Sequence, residues 1–351
     1  MIIDSHTHAW LRWPYEPPVP DHESRGTVEQ LLFEMEQNGV DQAALVCARI
    51  DHNPDNNEYV AECVRKYPDK IHQFADVDCS WSDTYHIPGA VDRLSRIADE
   101  CPIKGFTHYV RGDDDGSWFL GDEGTAFFKK AEELKLIVSF AIGIQLQPVL
   151  RQIAERFPSI PFLCHHMAGA RATEASPYPR LKELLKSASV SNIYIKMSGF
   201  HYVSHVDWDY PYPDTGWIVR TLYEHFGPAR LCWGSDYPVV RQHMTYKHAL
   251  EAFRTHCPFI PEEDKTEILG EALNRLLISG QASQESTCAA FTFGKNRFGP
   301  RLLKAFVCRS SRPHDAVHFL ACWSLFTAPT RPSASQARII QFAPDSGGRV
   351  T

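Results

Sequence analysis

At 351 residues, with 43% hydrophobic and 23% charged side chains, the chain can bury a sizeable core and sits far from disordered or fibrous compositions. A net charge of -7 without a dense Lys/Arg stripe argues against nucleic acid or a membrane as partner; it points to a small-molecule substrate and leaves a homo-oligomer open. Ten cysteines without a CxxC pair argue against a disulfide framework or zinc ribbon, and the absence of an N-terminal apolar h-region predicts a cytoplasmic protein.

In chain order, short apolar or β-branched runs at 1–4, 42–47, 71–77, 103–108, 137–141, 162–165, 193–197 and 231–233 read as strands, each followed by polar or Gly-rich residues. Between them, amphipathic runs at 27–38, 58–66, 90–99, 126–134, 148–157, 181–187, 217–226 and 246–254 read as helices, and 265–277 as a last one. In the first, Val28, Leu31, Leu32 and Met35 recur at helical spacing and Gly39 supplies the stop. Eight such units in about 280 residues predict an α/β protein of the (β/α)8 TIM-barrel class, since a doubly wound sheet commonly uses fewer strands.

The segment 281–351 differs in kind. From 282 onward it holds nine Lys and Arg against three Asp and Glu, with Ser, Pro and Arg clustered and no sustained period. That composition predicts a basic, poorly ordered, irregular tail beyond a catalytic domain at 1–280.

Three segments hold the chemistry. Asp4-Ser5-His6-Thr7-His8 follows the first strand run, and alternation puts both imidazoles on one face at the C-terminal mouth of a barrel, where this fold keeps its active sites. Asp236 ends the eighth run in Leu231-Cys-Trp-Gly-Ser-Asp-Tyr-Pro238, and barrel closure makes strands one and eight neighbours. Such a carboxylate can ligate a divalent ion or accept a proton from water. The third segment, Phe162-Leu-Cys-His165-His166-Met-Ala-Gly169, ends strand six, where alternation admits at most one of the two histidines to the mouth.

Taken together, DSHTH, CHHMAG, IKMSGF, WGSDYP and LGEALNRLL resemble the amidohydrolase-related family of metal-dependent TIM-barrel hydrolases over residues 1 to about 280. Within it they look most like the lactonase branch, which includes pyrone-dicarboxylate and sugar-acid lactonases. That resemblance implies hydrolysis of a cyclic ester, with His6, His8, His166 and Asp236 as the metal-ligand set and with His166 and Asp236 catalytic. It implies one divalent ion, Zn2+ or Mn2+, although some lactonases manage without. The branch usually reads Asp-His where His165-His166 stands, and it often has Arg at the position of Thr107. Two-metal members use a Lys on strand four and a His on strand five, and related decarboxylases also take a strand-five His. Here strand five has no His, which favours a lactonase over a decarboxylase; a catalytically inactive small-molecule binder is the third reading.

Further polar residues fall just after the strands and are candidates to bind substrate: Arg49, His108, Tyr109, Arg111, His201, Tyr237 and Arg241, with Tyr202 beside them. An Arg fork suits a substrate carboxylate. The aromatic run 208–213 is a candidate lid.

Overall fold

The computed structural model describes residues 1–15 and 19–279; the tail expected at 281–351 lies outside the described residues. Eight parallel strands hydrogen-bond in sequence order: β1 (Ile3–Thr7), β2 (Gln42–Val46), β3 (Ile71–Asp76), β4 (Ile103–Tyr109), β5 (Ile137–Ala141), β6 (Phe162–Cys164), β7 (Ile193–Met197) and β8 (Leu231–Trp233). The seam between first and last strands is closed beyond the end of β8. There Thr7 bridges Tyr237 in parallel, Asp236 donates its N–H to the His6 carbonyl at 2.8 Å, and His8 donates to the Tyr237 carbonyl at 2.6 Å. The expected TIM barrel is therefore present.

The helices are α1 (Val28–Asn38), α2 (Asn56–Lys66), α3 (Ala90–Glu100), α4 (Ser117–Leu120), α5 (Asp122–Glu133), α6 (Gln147–Arg156), α7 (Pro179–Lys186), α8 (Phe200–Val203), α9 (Gly216–Phe226), α10 (Tyr246–Arg254), α11 (Glu262–Thr266) and α12 (Ala272–Ser279). Two expectations shift. The helix read at 126–134 begins at Asp122, where Asp122 and Glu123 suit the positive N-terminal end of the dipole. The final helix is interrupted by a π turn, Glu267–Glu271, between α11 and α12.

Two apolar layers hold the barrel together. Outside it, alternate strand residues such as Ala43, Leu45, Phe106, Val138, Phe140, Ile193, Ile195 and Met197 pack on the helices; inside, Ile3, Ala44, Phe74, Ile137, Leu163 and Cys232 fill the bottom with Leu273 and Leu277 of α12. Each fully buried side chain of this size stabilises the fold by about 1.5–3 kcal/mol, so the lower barrel is a packed plug and not a pore. No helix among the described residues is long and apolar enough to cross a membrane.

The pairing of β1 with β2 slips between Asp4 and Thr7. Strict alternation would place Ile3 and His6 on opposite faces. The slip lets Ile3 join the bottom plug while His6, three residues on, faces the interior above it.

Candidate active site

Above the plug the barrel interior turns polar. The imidazole Nε2 atoms of His6, His8 and His166 stand 3.5, 3.4 and 4.0 Å from Oδ1 of Asp236. The three side chains nearest the seam are almost sealed, at 0% exposure for His6, 5% for His8 and 2% for Asp236, whereas His166 is 21% exposed and marks the side open to solvent. Asp236 itself adopts φ +64 as the chain leaves the strand, and its carboxylate faces His6, His8 and His166.

Hydrogen-bond bookkeeping says what belongs among these atoms. A carbonyl only accepts, so the 2.6 Å contact between His8 Nδ1 and the Val46 carbonyl puts the proton on Nδ1; neutral His8 then presents a bare Nε2 lone pair to a carboxylate oxygen. His6 Nε2 is buried without any hydrogen-bond partner. Facing acceptors in a dry interior are costly unless a cation lies between them. Ligands about 2.0–2.1 Å from a zinc ion stand about 3.3–3.4 Å apart at tetrahedral angles, close to the spacings seen here. His6, His8 and Asp236 form one group whose ligand atoms fit a single ion, and His6, His165 and His166 form a second, overlapping one. The residues present fit a divalent metal.

The electrostatics agree with neutral imidazoles at His6 and His166 beside one carboxylate. Burial pushes His6 well below its usual value and lowers His166 to about 4. Burial alone would raise Asp236, but His166 and His8 beside it outweigh that and hold it below the ordinary carboxylate range.

Strand six departs from expectation. Only one of His165 and His166 should point inward, yet both rings lie against His6, with centroids 4.4 and 4.6 Å away. The reason is backbone: His166, Met167 and Ala168 take φ of 46, 50 and 53, so alternation ends at β6 and the chain coils back over the mouth. His165 Nε2 meets Ser139 Oγ at 2.7 Å, and His166 Nδ1 meets Ser198 Oγ at 3.1 Å.

Two residues outside the expected set join the centre. Lys196 of β7 is fully buried, with Nζ 3.1 Å from His6 Nδ1 and 2.6 Å from Ser139 Oγ, and burial lowers it to about 7. Asp4 is raised to about 6 by burial and accepts from Ser235 N–H, His6 N–H and the Tyr246 hydroxyl. Alternation could have found Lys196, because Ile193, Ile195 and Met197 face the helices and leave Tyr194 and Lys196 to the interior.

The residues expected to bind substrate divide. Tyr109 points inward, its ring 5.1 Å from that of His165; His201 is buried against Tyr202, at 3.9 Å between ring centroids, with neither ring nitrogen partnered. Tyr202 donates its hydroxyl to Asp236 Oδ2 at 3.0 Å. The other five have partners elsewhere. His108 shares the outward face of β4 with Phe106, its Nδ1 on the Val77 carbonyl at 2.9 Å and its Nε2 3.2 Å from that of His86. Arg111 donates to the Ser80 carbonyl, lies over the Tyr85 ring and lines a separate cleft of about 570 Å3 with His86, Asp114 and Trp118. Arg49 donates to the Pro54 carbonyl, while Tyr237 and Arg241 both reach Gln30 on α1. No sequence rule fixes where such long loop side chains turn.

Known proteins can now be set beside this geometry. A search of curated proteins finds no match. Among solved structures, a probable 2-pyrone-4,6-dicarboxylic acid hydrolase from Acinetobacter baumannii, with citric acid bound, is 19% identical with a TM-score of 0.62 over 79% of this chain and 98% of its own. An amidohydrolase from Burkholderia multivorans with bound zinc is 16% identical, TM-score 0.62, over 79% and 99%. The 5-carboxyvanillate decarboxylase of Sphingomonas paucimobilis is 17% identical, TM-score 0.55, over 79% and 98%. At these identities the likeness is one of fold. The amidohydrolase sequence profile matches residues 3–277, which span every strand and each residue of the histidine and aspartate centre, so this chain belongs to the amidohydrolase family.

Proposed function

We propose that the centre hydrolyses a lactone. The observation that carries this reading is the convergence of three imidazole Nε2 atoms, at 3.4 to 4.0 Å, on one oxygen of a carboxylate held ionised. Asp236 accepts a proton from the attacking water and returns it to the ring oxygen as the ester C–O bond breaks, so lactone and water give a hydroxy acid. His166, the member open to solvent, faces the carbonyl, with its Nδ1 held against Ser198 Oγ at 3.1 Å. Negative charge grows on the carbonyl oxygen during attack, so a preorganised positive group there lowers the barrier most. When bound, a divalent ion held by His6, His8, His166 and Asp236 supplies that Lewis acidity. We place the substrate against Tyr109 and His201, which border the centre.

A decarboxylase of an aromatic or unsaturated acid is the second reading. Strand five meets the centre through Ser139, which is already shared between His165 and Lys196, and no strand-five imidazole reaches the metal-binding group; this favours the lactonase. The test is turnover by the full chain on a panel of lactones and of aromatic carboxylic acids, with zinc or manganese added and with a chelator. Hydroxy-acid formation supports the proposal. CO2 release with no lactone turned over moves the function to the decarboxylase, and no turnover on either panel leaves a binding barrel.

A further inference from the structure

We infer that Tyr202 is a positioning residue for Asp236: it occupies Oδ2 and thereby reserves Oδ1 for the histidine set. This rests on Asp236 being the carboxylate that works in the proposed function. The two oxygens of a carboxylate are equivalent until something distinguishes them. Here Oδ1 faces His6, His8 and His166, and Oδ2 receives the Tyr202 hydroxyl at 3.0 Å. A phenol at neutral pH keeps its proton and can donate to only one acceptor, so it pins the carboxylate about its last torsion. That torsion is otherwise broad. A carboxylate free to turn would offer both oxygens to an ion and present neither to water in a fixed direction.

The fold goes to some length to hold this phenol. α8 is a single turn and could not place a side chain by itself. It is tied to the loop after β6 by the Arg171 guanidinium on the Tyr202 carbonyl and by Ala172 N–H on the Val203 carbonyl at 2.7 Å. The His201 ring lies on one side of the Tyr202 ring and the His166 ring meets it at 69°, 4.9 Å between centroids. Gly199 just ahead has φ +68, and a Cβ there would lie 2.6 Å from Tyr202 Cδ2 and 2.8 Å from His166 Nδ1. Only glycine lets both rings close on Asp236. Tyr202 is therefore an outer partner of the centre, and removing such partners typically costs about 10- to 100-fold in metal affinity or activity.

The experiment uses Tyr202→Phe in the full chain, with zinc alone as the first probe, titrated in competition with a chromogenic chelator. Zinc affinity is expected to fall about 10- to 100-fold with the melting temperature of the zinc-free protein unchanged. On any lactone that the wild type accepts, kcat is expected to fall at least tenfold with KM within about twofold, since the phenol reaches Asp236 and not the substrate. Wild-type zinc affinity and wild-type kcat in Tyr202→Phe would overturn the assignment. A wild type that binds zinc but opens no lactone sinks the hydrolase reading alone, and the zinc arm still decides the role of Tyr202.

Discussion

Lys196 Nζ lies 3.1 Å from His6 Nδ1, while the other nitrogen of the same ring, Nε2, faces Asp236 Oδ1 at 3.5 Å. An imidazole that binds a metal through Nε2 carries its proton on Nδ1, and the partner of that nitrogen fixes the tautomer. Lys196, lowered by burial to about 7, is that partner as the neutral amine, whose lone pair accepts from Nδ1–H while its own N–H donates to Ser139 Oγ, which meets His165 in turn. Replacing Lys196 with methionine keeps most of the volume and removes a buried ionisable group, so stability should hold or rise. Zinc affinity should fall about 10- to 100-fold, because His6 loses the group that orients it. Thermal melts and zinc competition on the same preparation check both halves. A variant that is destabilised yet binds zinc normally would make Lys196 a structural residue only.

Asp236→Asn keeps the shape of the side chain and can still accept from Tyr202, but it cannot take a proton from water. Turnover of an accepted lactone should fall about 100-fold or more. Should the role of Asp236 be only to terminate β8, the amide would serve nearly as well and the rate would barely change. Steady-state kinetics at saturating substrate, with circular dichroism to verify the fold, decide between these.

The barrel and the gathering of His6, His8 and Asp236 were legible in the sequence because both rest on local rules. Strand parity puts His6 and His8 on one face, and closure brings Asp236 to them. What stayed hidden has identifiable causes. Three successive left-handed residues, His166 to Ala168, are set by tertiary packing and are not the sequence's preferred conformation, so the inward turn of both histidines could not be read from alternation. The slip between Asp4 and Thr7 changes face inside a five-residue strand. Arg49, Arg111 and Arg241 end on a carbonyl, on an aromatic ring with a carbonyl, and on Gln30, since each long side chain has many reachable acceptors. Lys196 was within reach, because it falls in the inward phase of Ile193–Met197.

His201 gives a prediction about pH. Burial lowers it to about 3 from the ordinary 6.5, so the folded protein holds it neutral while the unfolded chain protonates it below 6.5. The stability it contributes is complete above pH 6.5 and is lost as the pH falls from there toward 3, by a few kcal/mol at most (about 1.4 kcal/mol per unit). His201→Phe should flatten the fall in melting temperature of the zinc-free protein between pH 6.5 and 4, although His6 and His166, also lowered, keep part of the slope. Identical slopes in the two proteins would mean that His201 is solvated or partnered in solution.

The seam between β1 and β8 gives the last prediction, through Gly234. Its φ is not in the left-handed region, so alanine would be acceptable to the local backbone; the obstacle is space. A Cβ at this position would lie 2.8 Å from His6 Cβ, 3.0 Å from His6 N and 3.0 Å from Ser5 Oγ. The two His6 atoms are not the far end of a flexible side chain, and β1 cannot simply retreat, because Asp236 N–H and His8 N–H close the seam at 2.8 and 2.6 Å. Overpacking of this kind typically costs about 1–3 kcal/mol. In a folded unit of this size that lowers the melting temperature by roughly 2–12 °C. The displacement also falls on His6 and Asp236 together, so Gly234→Ala should lose zinc affinity more than tenfold, in line with the sensitivity of ligand geometry. Gly39 supplies the contrast: it ends α1 at φ +67 with nothing within 4 Å of a built Cβ, so Gly39→Ala should cost about 1–2 kcal/mol through conformation alone and leave zinc affinity unchanged. Comparable stability losses with zinc affinity lost only at Gly234 would locate the centre at the seam. Normal zinc binding in Gly234→Ala would mean that β1 and β8 can part without moving His6, and the closed seam would no longer explain how the centre is held.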